Sequence, residues 1–160
     1  MEIRKHSGIY TLEITQLLPV SIEKAWDFFS SPENLDILTP KEFGFKITSR
    51  LALKMYQGQI ITYKIDILPF IKTNWVTEIT TVVENSYFID EQRFGPYKMW
   101  HHEHFFVQKG KQVEMTDKIT FALPMGFLGK LSYLIFVKKR LMAIFNYLAK
   151  KVQEIFTNSG

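Results

Sequence analysis

The C-terminal segment, residues 127–156, limits the possible folds more than any other part of the sequence. It contains no proline, and its single glycine lies near its start. Its apolar residues recur at steps of three and four, the spacing of one face of an α-helix. The segment therefore predicts a helix of about 28 residues, roughly 42 Å long, which must bury its apolar stripe against another layer. The stripe consists of Leu131, Leu134, Ile135, Leu141, Met142, Phe145, Leu148, Val152 and Ile155.

A second set of apolar residues lies beside this stripe, so that the predicted helix is apolar round more than half its circumference. The set consists of Phe136, Val137, Ile144 and Tyr147. A sheet on one side would not cover all of this surface. A homodimer through the C-terminal helix is one explanation. Contact of the neighbouring basic cluster with an anionic membrane surface is another.

The sequence before this helix alternates apolar and polar residues, the pattern of half-buried β-strands. The connections between the alternating segments are too short for parallel crossovers. We predict roughly seven antiparallel strands, with two short helices at residues 21–30 and 33–38 after the first strand. The fold class is therefore α+β, and a curved sheet wrapped round a long helix can leave an apolar cavity between them. The predicted strands are residues 9–18, one strand within 43–55, and 61–67, 75–83, 87–94, 99–108 and 112–122.

Composition excludes several classes of protein. The chain has 160 residues, a formal net charge of +4 and no cysteine, which fits one domain and excludes a disulfide scaffold or a catalytic thiol. Basic residues cluster only at Lys138, Lys139 and Arg140, so we expect no nucleic-acid partner. No stretch reaches the ~18 uninterrupted apolar residues of a membrane span, and the N-terminus lacks a signal-peptide pattern. We expect a cytoplasmic protein without stable membrane insertion and without a cofactor.

Three local strings carry a resemblance to a known superfamily. They are L-P-V-S-I-E-K-A-W-D-F-F (residues 18–29), G-P-Y-K-M-W-H-H-E-H-F-F (95–106) and T-D-K-I-T-F-A-L-P-M-G (116–126). With the order of elements, they resemble the SRPBCC or START-like helix-grip superfamily, which includes the Bet v 1 allergens and bacterial polyketide cyclase/dehydrase-like proteins. The resemblance covers about residues 10–156 and implies that residues 1–160 form a single START-like ligand-binding domain. Because this superfamily includes lipid carriers, hormone receptors, aromatases, cyclases and co-chaperones, the fold alone does not specify an activity.

Two histidines and one aspartate are the strongest candidates for polar chemistry. Alternate residues of a strand share a face, so His102 and His104 point the same way as Trp100. Asp117 lies on the apolar parity of the next strand, and a buried carboxylate needs a partner, which either histidine can supply. The histidines could share a metal, but zinc takes about four ligands, and a third, most obviously Asp117, would have to come from a neighbouring strand. We therefore predict a hydrogen-bonded network inside a mostly apolar cavity, and no metal site.

These observations lead to three hypotheses for function. We favour binding or carriage of a small, mainly hydrophobic molecule, lipid, sterol-like or polyketide-like, without its transformation. The first alternative is an aromatase/cyclase-like enzyme that uses Asp117 and His102 or His104 as acid and base. The second is a co-chaperone-like interaction module that uses the surplus apolar surface of the last helix. The expected ligand-binding residues are Tyr63, Trp75, Trp100, His102, His104, Asp117, Ile119, Leu134 and Phe145.

Overall fold

The computed structural model describes residues 2–40, 43–68, 71–124 and 136–157. The helices in these residues are α1 (Ile22–Phe29), α2 (Leu35–Leu38), preceded by a 3₁₀ turn (Pro32–Asn34), and α3 (Lys138–Thr157). In the described part of the chain, no helix is both long enough and apolar enough to cross a membrane. The strands are β1 (Glu2–His6), β2 (Ile9–Leu18), β3 (Lys46–Ile47), β4 (Ile60–Leu68), β5 (Ile71–Val83), β6 (Tyr87–Phe94), β7 (Met99–Lys109) and β8 (Gln112–Ala122).

The described strands form one antiparallel sheet in the order β1-β2-β8-β7-β6-β5-β4-β3. From β3 to β8 each strand pairs with its neighbour in the sequence, and β2 pairs with β8. Register shifts occur within the β4–β5 and β5–β6 pairings. Because a bulge bends its strand and increases the local twist, these shifts help to curve the sheet and give it a concave face.

Helix α1 begins where the sequence provides a cap. The side chain of Ser21 accepts a hydrogen bond from the backbone N–H of Lys24, which satisfies one of the free donors at the helix start. Ala25, Trp26 and Phe29 form the buried face of α1. Trp26 contacts Phe106 on β7 edge-on, with ring centroids 5.8 Å apart. The short helix therefore closes one end of the sheet.

Helix α3 lies on the concave face and joins both halves of the core. Leu141, Phe145, Val152 and Phe156 are its buried residues, one or two turns apart. Val152 and Phe156 belong to a cluster around α1, whereas Leu141 and Phe145 belong to a second cluster around Trp75 and Trp100. We call these the α1 cluster and the tryptophan cluster.

The structure confirms the predicted α+β helix-grip architecture, a curved antiparallel sheet with a long C-terminal helix and short helices after the first long strand. It adds β1 (Glu2–His6), which escaped prediction because four of its five residues are exposed and show no apolar alternation. The strand expected within residues 43–55 is reduced to Lys46–Ile47. Residues 127–135 of the predicted long helix, with Leu134, lie outside the described residues.

The second apolar set of the C-terminal helix divides in the structure. Val137 and Ile144 pack against the tryptophan cluster. Phe136 and Tyr147 are 51% and 38% exposed. The uncovered part of α3 is therefore smaller than the sequence pattern indicated. A homodimer through this helix stays a prediction.

We predict that Phe156→Ala lowers the free energy of unfolding by about 3–5 kcal/mol. Phe156 is 3% exposed and packs between Phe28 and Phe29, with ring centroids 5.3 and 6.1 Å away. The matched control Tyr147→Ala, on the exposed side of α3, should change the free energy by about 0.5 kcal/mol or less. Urea unfolding measures both variants, and equal losses would contradict this orientation of α3.

Candidate ligand cavity

A cavity of about 410 Å³ lies between the concave face of the sheet and α3. Ile61 and Ile79 on the sheet and Ile144 on the helix contribute to its mainly apolar wall. Ile61 and Ile79 are buried, yet they belong to neither of the two packed clusters. Apolar side chains that are sheltered from water but face open space are the expected lining of a ligand site.

The structure brings most of the predicted ligand-binding residues to this cavity, although binding itself stays a prediction. Ile119 lies apart. It is fully buried in the tryptophan cluster and is not part of the cavity wall. Leu134 falls outside the described residues. The predicted residues that do line the cavity are Tyr63, Trp75, Trp100, His102, His104, Asp117 and Phe145.

An aromatic wall forms one side of the cavity. Tyr63 and Trp75 lie opposite each other on β4 and β5, and their rings stack with centroids 5.8 Å apart and planes 16° apart. Trp100 meets Trp75 edge-on at 5.3 Å. The hydroxyl of Thr77 accepts a hydrogen bond from Trp75 Nε1 at 3.0 Å and lies 3.2 Å from the Tyr63 hydroxyl. These bonds hold the rings in place, and burial raises the pKa of Tyr63, so its hydroxyl stays protonated.

Four polar side chains from three adjacent strands meet in the middle of the concave face. Asp90 lies on β6 opposite His102 on β7, and His104 on β7 lies opposite Asp117 on β8. All four line the cavity. We call Asp90, His102, His104 and Asp117 the polar quartet. Because alternate residues of a strand share a face, the apolar residues of the α1 cluster and the tryptophan cluster continue on either side of it.

Each histidine of the quartet lies between the two carboxylates. His104 Nε2 is hydrogen-bonded to Asp90 Oδ2 at 2.9 Å, and His102 Nε2 to Asp117 Oδ1 at 3.3 Å. The two remaining nitrogens approach the opposite carboxylates, with His104 Nδ1 2.8 Å from Asp117 Oδ1 and His102 Nδ1 3.5 Å from Asp90 Oδ2. The first of these contacts is a close ion pair, but its direction does not suit a hydrogen bond, so His104 Nδ1 has no hydrogen-bond partner. The imidazole rings lie over each other, with centroids 3.7 Å apart.

Burial and charge act in opposite directions on these groups. Burial alone would raise the pKa of Asp117, but hydrogen bonds and charge from His102 and His104 hold it well below its usual range. Burial alone would lower the pKa of His104, but Asp117 and Asp90 outweigh it and raise this pKa to about 9. Burial lowers the pKa of His102, and repulsion from His104 adds to this effect. At neutral pH the quartet therefore contains a charged His104, a neutral His102 and an ionised Asp117.

Asp90 is the member of the quartet that residue spacing did not predict. It lies two residues after Phe88, which is buried on the same face of β6. That spacing is the available signal, but β6 also carries apolar residues of the other parity, Tyr87 and Ile89, so its inward face was not evident. Arg93, on the same strand as Asp90, pairs with Glu78 and Glu91 and not with the quartet.

His101 and Glu103 lie on the opposite face of β7 from the quartet, as the strand parity predicted. His101 Nδ1 is 2.8 Å from Glu91 Oε1, and Lys118 Nζ is 2.8 Å from Glu103 Oε2. These ion pairs involve partly exposed side chains and lie away from the cavity. His101 therefore provides an internal control for experiments on its two neighbours.

Arg140 brings a positive charge from α3 to the cavity. Its guanidinium donates a hydrogen bond to the backbone carbonyl of Asp66 and lies 4.2 Å from the ring centroid of Phe43. Burial lowers the pKa of Arg140, although the group remains charged at neutral pH. From the sequence, Arg140 was expected with Lys138 and Lys139 on a solvated or membrane-facing surface. The two lysines are exposed, but Arg140 lines the cavity with Asp66.

We predict that Asp117→Asn destabilises the protein by roughly 3–5 kcal/mol near pH 6, because His104 loses its buried ion-pair partner. The pKa of His104 is about 9 in the folded state against 6.5 for the ordinary residue. The ion pair therefore stabilises the fold fully below about pH 6.5, and this contribution is lost as the pH rises through about 9.

Urea unfolding of both proteins near pH 6 and near pH 9.5 measures this effect. The difference between wild type and Asp117→Asn should shrink at the higher pH. Glu114→Gln, a partly exposed carboxylate on the same strand, is the control and should cost about 1 kcal/mol or less. A loss that is the same at both pH values would contradict the charged state of His104.

Comparisons with known proteins identify the fold. No protein-family model matches this chain, and no curated protein matches it significantly. A crystal structure of a protein from Thermus thermophilus has a TM-score of 0.70 at 16% identity, covering 94% of this chain and 99% of that chain. A norcoclaurine synthase point mutant from Thalictrum, in complex with a transition-state analogue, has a TM-score of 0.65 at 15% identity, covering 94% of this chain and 98% of that chain.

A major latex-like protein from Panax ginseng is similar to the same extent. Its TM-score is 0.68 at 10% identity, covering 94% of this chain and 99% of that chain. At such low identities a structural likeness speaks for the fold and leaves the activity open. The strand order, the curved sheet and the C-terminal helix agree with these structures along nearly the whole chain. This chain therefore has the Bet v 1-like helix-grip fold.

Proposed function

We propose that this chain, as a member of the SRPBCC or START-like superfamily, binds and carries a small, mainly hydrophobic molecule in the cavity. The cavity itself is the observation that supports this function. Its volume of about 410 Å³ falls within the range of ~300–1,000 Å³ that is usual for small-molecule sites. Each Å² of apolar ligand surface that enters it contributes about 25 cal/mol through release from water.

The shape of the aromatic wall favours a ligand with flat rings. The stacked rings of Tyr63 and Trp75 are held by Thr77, so they form a rigid surface. Such a surface makes more contact with a planar ring system than with a flexible acyl chain. We therefore propose a sterol-like or polyketide-like ligand in preference to a simple fatty acid. The polar quartet offers hydrogen-bonding groups for a carbonyl or hydroxyl of that ligand.

Small-molecule binding also agrees with one protein of the same fold. The norcoclaurine synthase mutant was solved in complex with a transition-state analogue. That protein therefore binds a small molecule. The same use of the fold in this chain is part of our proposal.

The aromatase/cyclase-like alternative places acid–base chemistry in the same cavity. An efficient acid or base has a pKa near the working pH. The pKa of Asp117 lies far below neutrality and that of His104 is raised to about 9, so neither exchanges protons readily near pH 7. His102, with a lowered pKa, is the remaining base. We therefore rank binding ahead of catalysis.

The co-chaperone-like alternative rests on the exposed apolar residues of α3. Within the described residues 136–157, the exposed large apolar residues are Tyr147 on α3 and Phe136, which lies two residues before α3 begins. An interaction module of this kind has no need of an internal cavity of more than ~300 Å³. The observed cavity volume therefore favours ligand carriage over this alternative.

We predict that a neutral apolar fluorophore, N-phenyl-1-naphthylamine, binds in the cavity and that Ile79→Trp weakens its binding. Ile79 is 3% exposed and faces the cavity, so a larger side chain there occupies the ligand's space. We expect a loss of affinity of roughly tenfold or more, which corresponds to about 1.4 kcal/mol of lost contact. Fluorescence titration measures it. Ile60→Trp, the same substitution at a 47% exposed position of β4, is the matched control and should bind normally.

Natural ligands are then ranked by displacement of this probe. Sterols and aromatic polyketides should displace it at lower concentrations than fatty acids do. Mass spectrometry of the recovered ligands should find them unchanged, whereas conversion to a product would favour the enzymatic alternative. Equal probe affinity of Ile79→Trp and the unaltered protein, or no displacement by any of the three ligand classes, would contradict the proposal.

A further inference from the structure

Three donor atoms of the polar quartet converge on one point at the cavity wall. Asp90, His102 and His104 each offer one of them, and the three atoms lie within 4.8 Å of one another. Asp90 Oδ2 faces His102 Nδ1 and His104 Nε2. The sequence led us to expect no metal site, because it offered two histidines with Asp117 and did not place Asp90 beside them. From the structure we propose that Asp90, His102 and His104 form a binding site for a divalent transition-metal cation, with Asp117 as the carboxylate that orients both histidines.

The separations of the donor atoms fit a four-coordinate ion. Ligand atoms bound at 2.0–2.1 Å in a tetrahedral arrangement lie about 3.3 Å from each other. Asp90 Oδ2 is 2.9 Å from His104 Nε2 and 3.5 Å from His102 Nδ1. The two distances lie on either side of the expected value, so an ion requires only small movements of side chains that are already in place.

Asp117 occupies the position of the outer partner in such a site. Metal-bound histidines donate their second ring N–H to a carboxylate or carbonyl, which fixes the ring and its tautomer. The second nitrogens here are His102 Nε2 and His104 Nδ1, and they lie 3.3 and 2.8 Å from the same atom, Asp117 Oδ1. A single buried carboxylate thus faces both histidines, with a hydrogen bond to His102 and a close ion pair with His104.

The arrangement of acidic and imidazole groups also favours a cation. Asp90 and Asp117 face the two imidazole rings at 2.8–3.5 Å, one from each side. A divalent cation bound to Asp90 and the two histidines is attracted by carboxylates, and it displaces any extra ring proton, because imidazole binds metals in its neutral form.

The donor set indicates which metals fit. Two imidazole nitrogens and one carboxylate oxygen suit Zn²⁺, Co²⁺, Fe²⁺ and similar ions, whereas Mg²⁺ and Ca²⁺ prefer all-oxygen sites. Three protein ligands leave at least one coordination position free. Since all three donor residues line the cavity, a water molecule or a polar atom of the carried ligand can take that position.

Titration of the full chain with Zn²⁺ after chelator treatment tests this site. We expect one ion per chain by isothermal calorimetry. Co²⁺ in the same protein should give the intense visible absorption of four-coordinate cobalt. This spectrum reports the coordination of the ion in the unaltered protein, so no substituted variant is needed. Failure of the unaltered protein to take up Zn²⁺, or a Co²⁺ spectrum like that of the aqueous ion, would overturn the proposal.

The Zn²⁺ affinities of substituted variants show where the ion binds. Asp117→Asn should weaken Zn²⁺ binding by about 10- to 100-fold, as the loss of an orienting partner does, and Asp90→Asn or His102→Gln should weaken it further. The matched control is His101→Gln, on the outer face of the same strand beside Glu91, which should bind Zn²⁺ like the unaltered protein. Circular dichroism establishes that each variant is folded. Equal losses in His101→Gln and His102→Gln would place the ion elsewhere and overturn the proposal.

The metal site and the carrier function are tested by different measurements, so one can be contradicted while the other stands. The apolar probe should still bind to the chelator-treated protein, because the walls that surround it are apolar. Probe binding without Zn²⁺ uptake would leave the carrier function in place and overturn the metal site. Zn²⁺ uptake without probe binding would support the metal site and contradict the carrier function.

Discussion

The buried carboxylate of Asp117 is the constraint on which the rest of the interior depends. Asp117 is 2% exposed in the middle of an apolar sheet face, and an unpaired charge in such a place would cost several kcal/mol. His104 and His102 on the neighbouring strand β7 contact this carboxylate, and Asp90 on β6 contacts His104. The registers of β6, β7 and β8 must place these groups side by side, so one carboxylate determines much of the polar arrangement.

The quartet lies beside the open space of the interior. Apolar packing is dense on both sides of it, in the α1 cluster and in the tryptophan cluster. Helix α3 contributes to both, with Phe156 in the first and Phe145 in the second, so the helix is held at both clusters. Between them the curved sheet and the helix are separated by the cavity. The packed clusters that hold the helix and the open space beside the quartet therefore occupy different parts of one surface.

Much of this arrangement was predictable from residue spacing, and what was missed has identifiable causes. Strict alternation in β7 and β8 is enough to place His102, His104 and Asp117 on one face of the sheet. Asp90 could not be placed in this way, because β6 is apolar on both parities and its pairing with β5 contains register shifts. Arg140 was assigned to a basic surface with its two neighbours, since sequence spacing does not show that a long side chain reaches back to Asp66. Ile119 has the right parity, but its position in a packed cluster depends on contacts across the sheet.

The measurement that tests the account most directly is a long-range ¹H–¹⁵N spectrum of the histidine rings in the chelator-treated protein at neutral pH. The central claim is that His104 carries the charge that balances Asp117 while His102 stays neutral. The chain has four histidines, and the spectrum should show His104 with both ring nitrogens protonated and His102 as a neutral ring in a single tautomer. A neutral His104, or a His102 ring that exchanges between tautomers as it does in water, would contradict the claim.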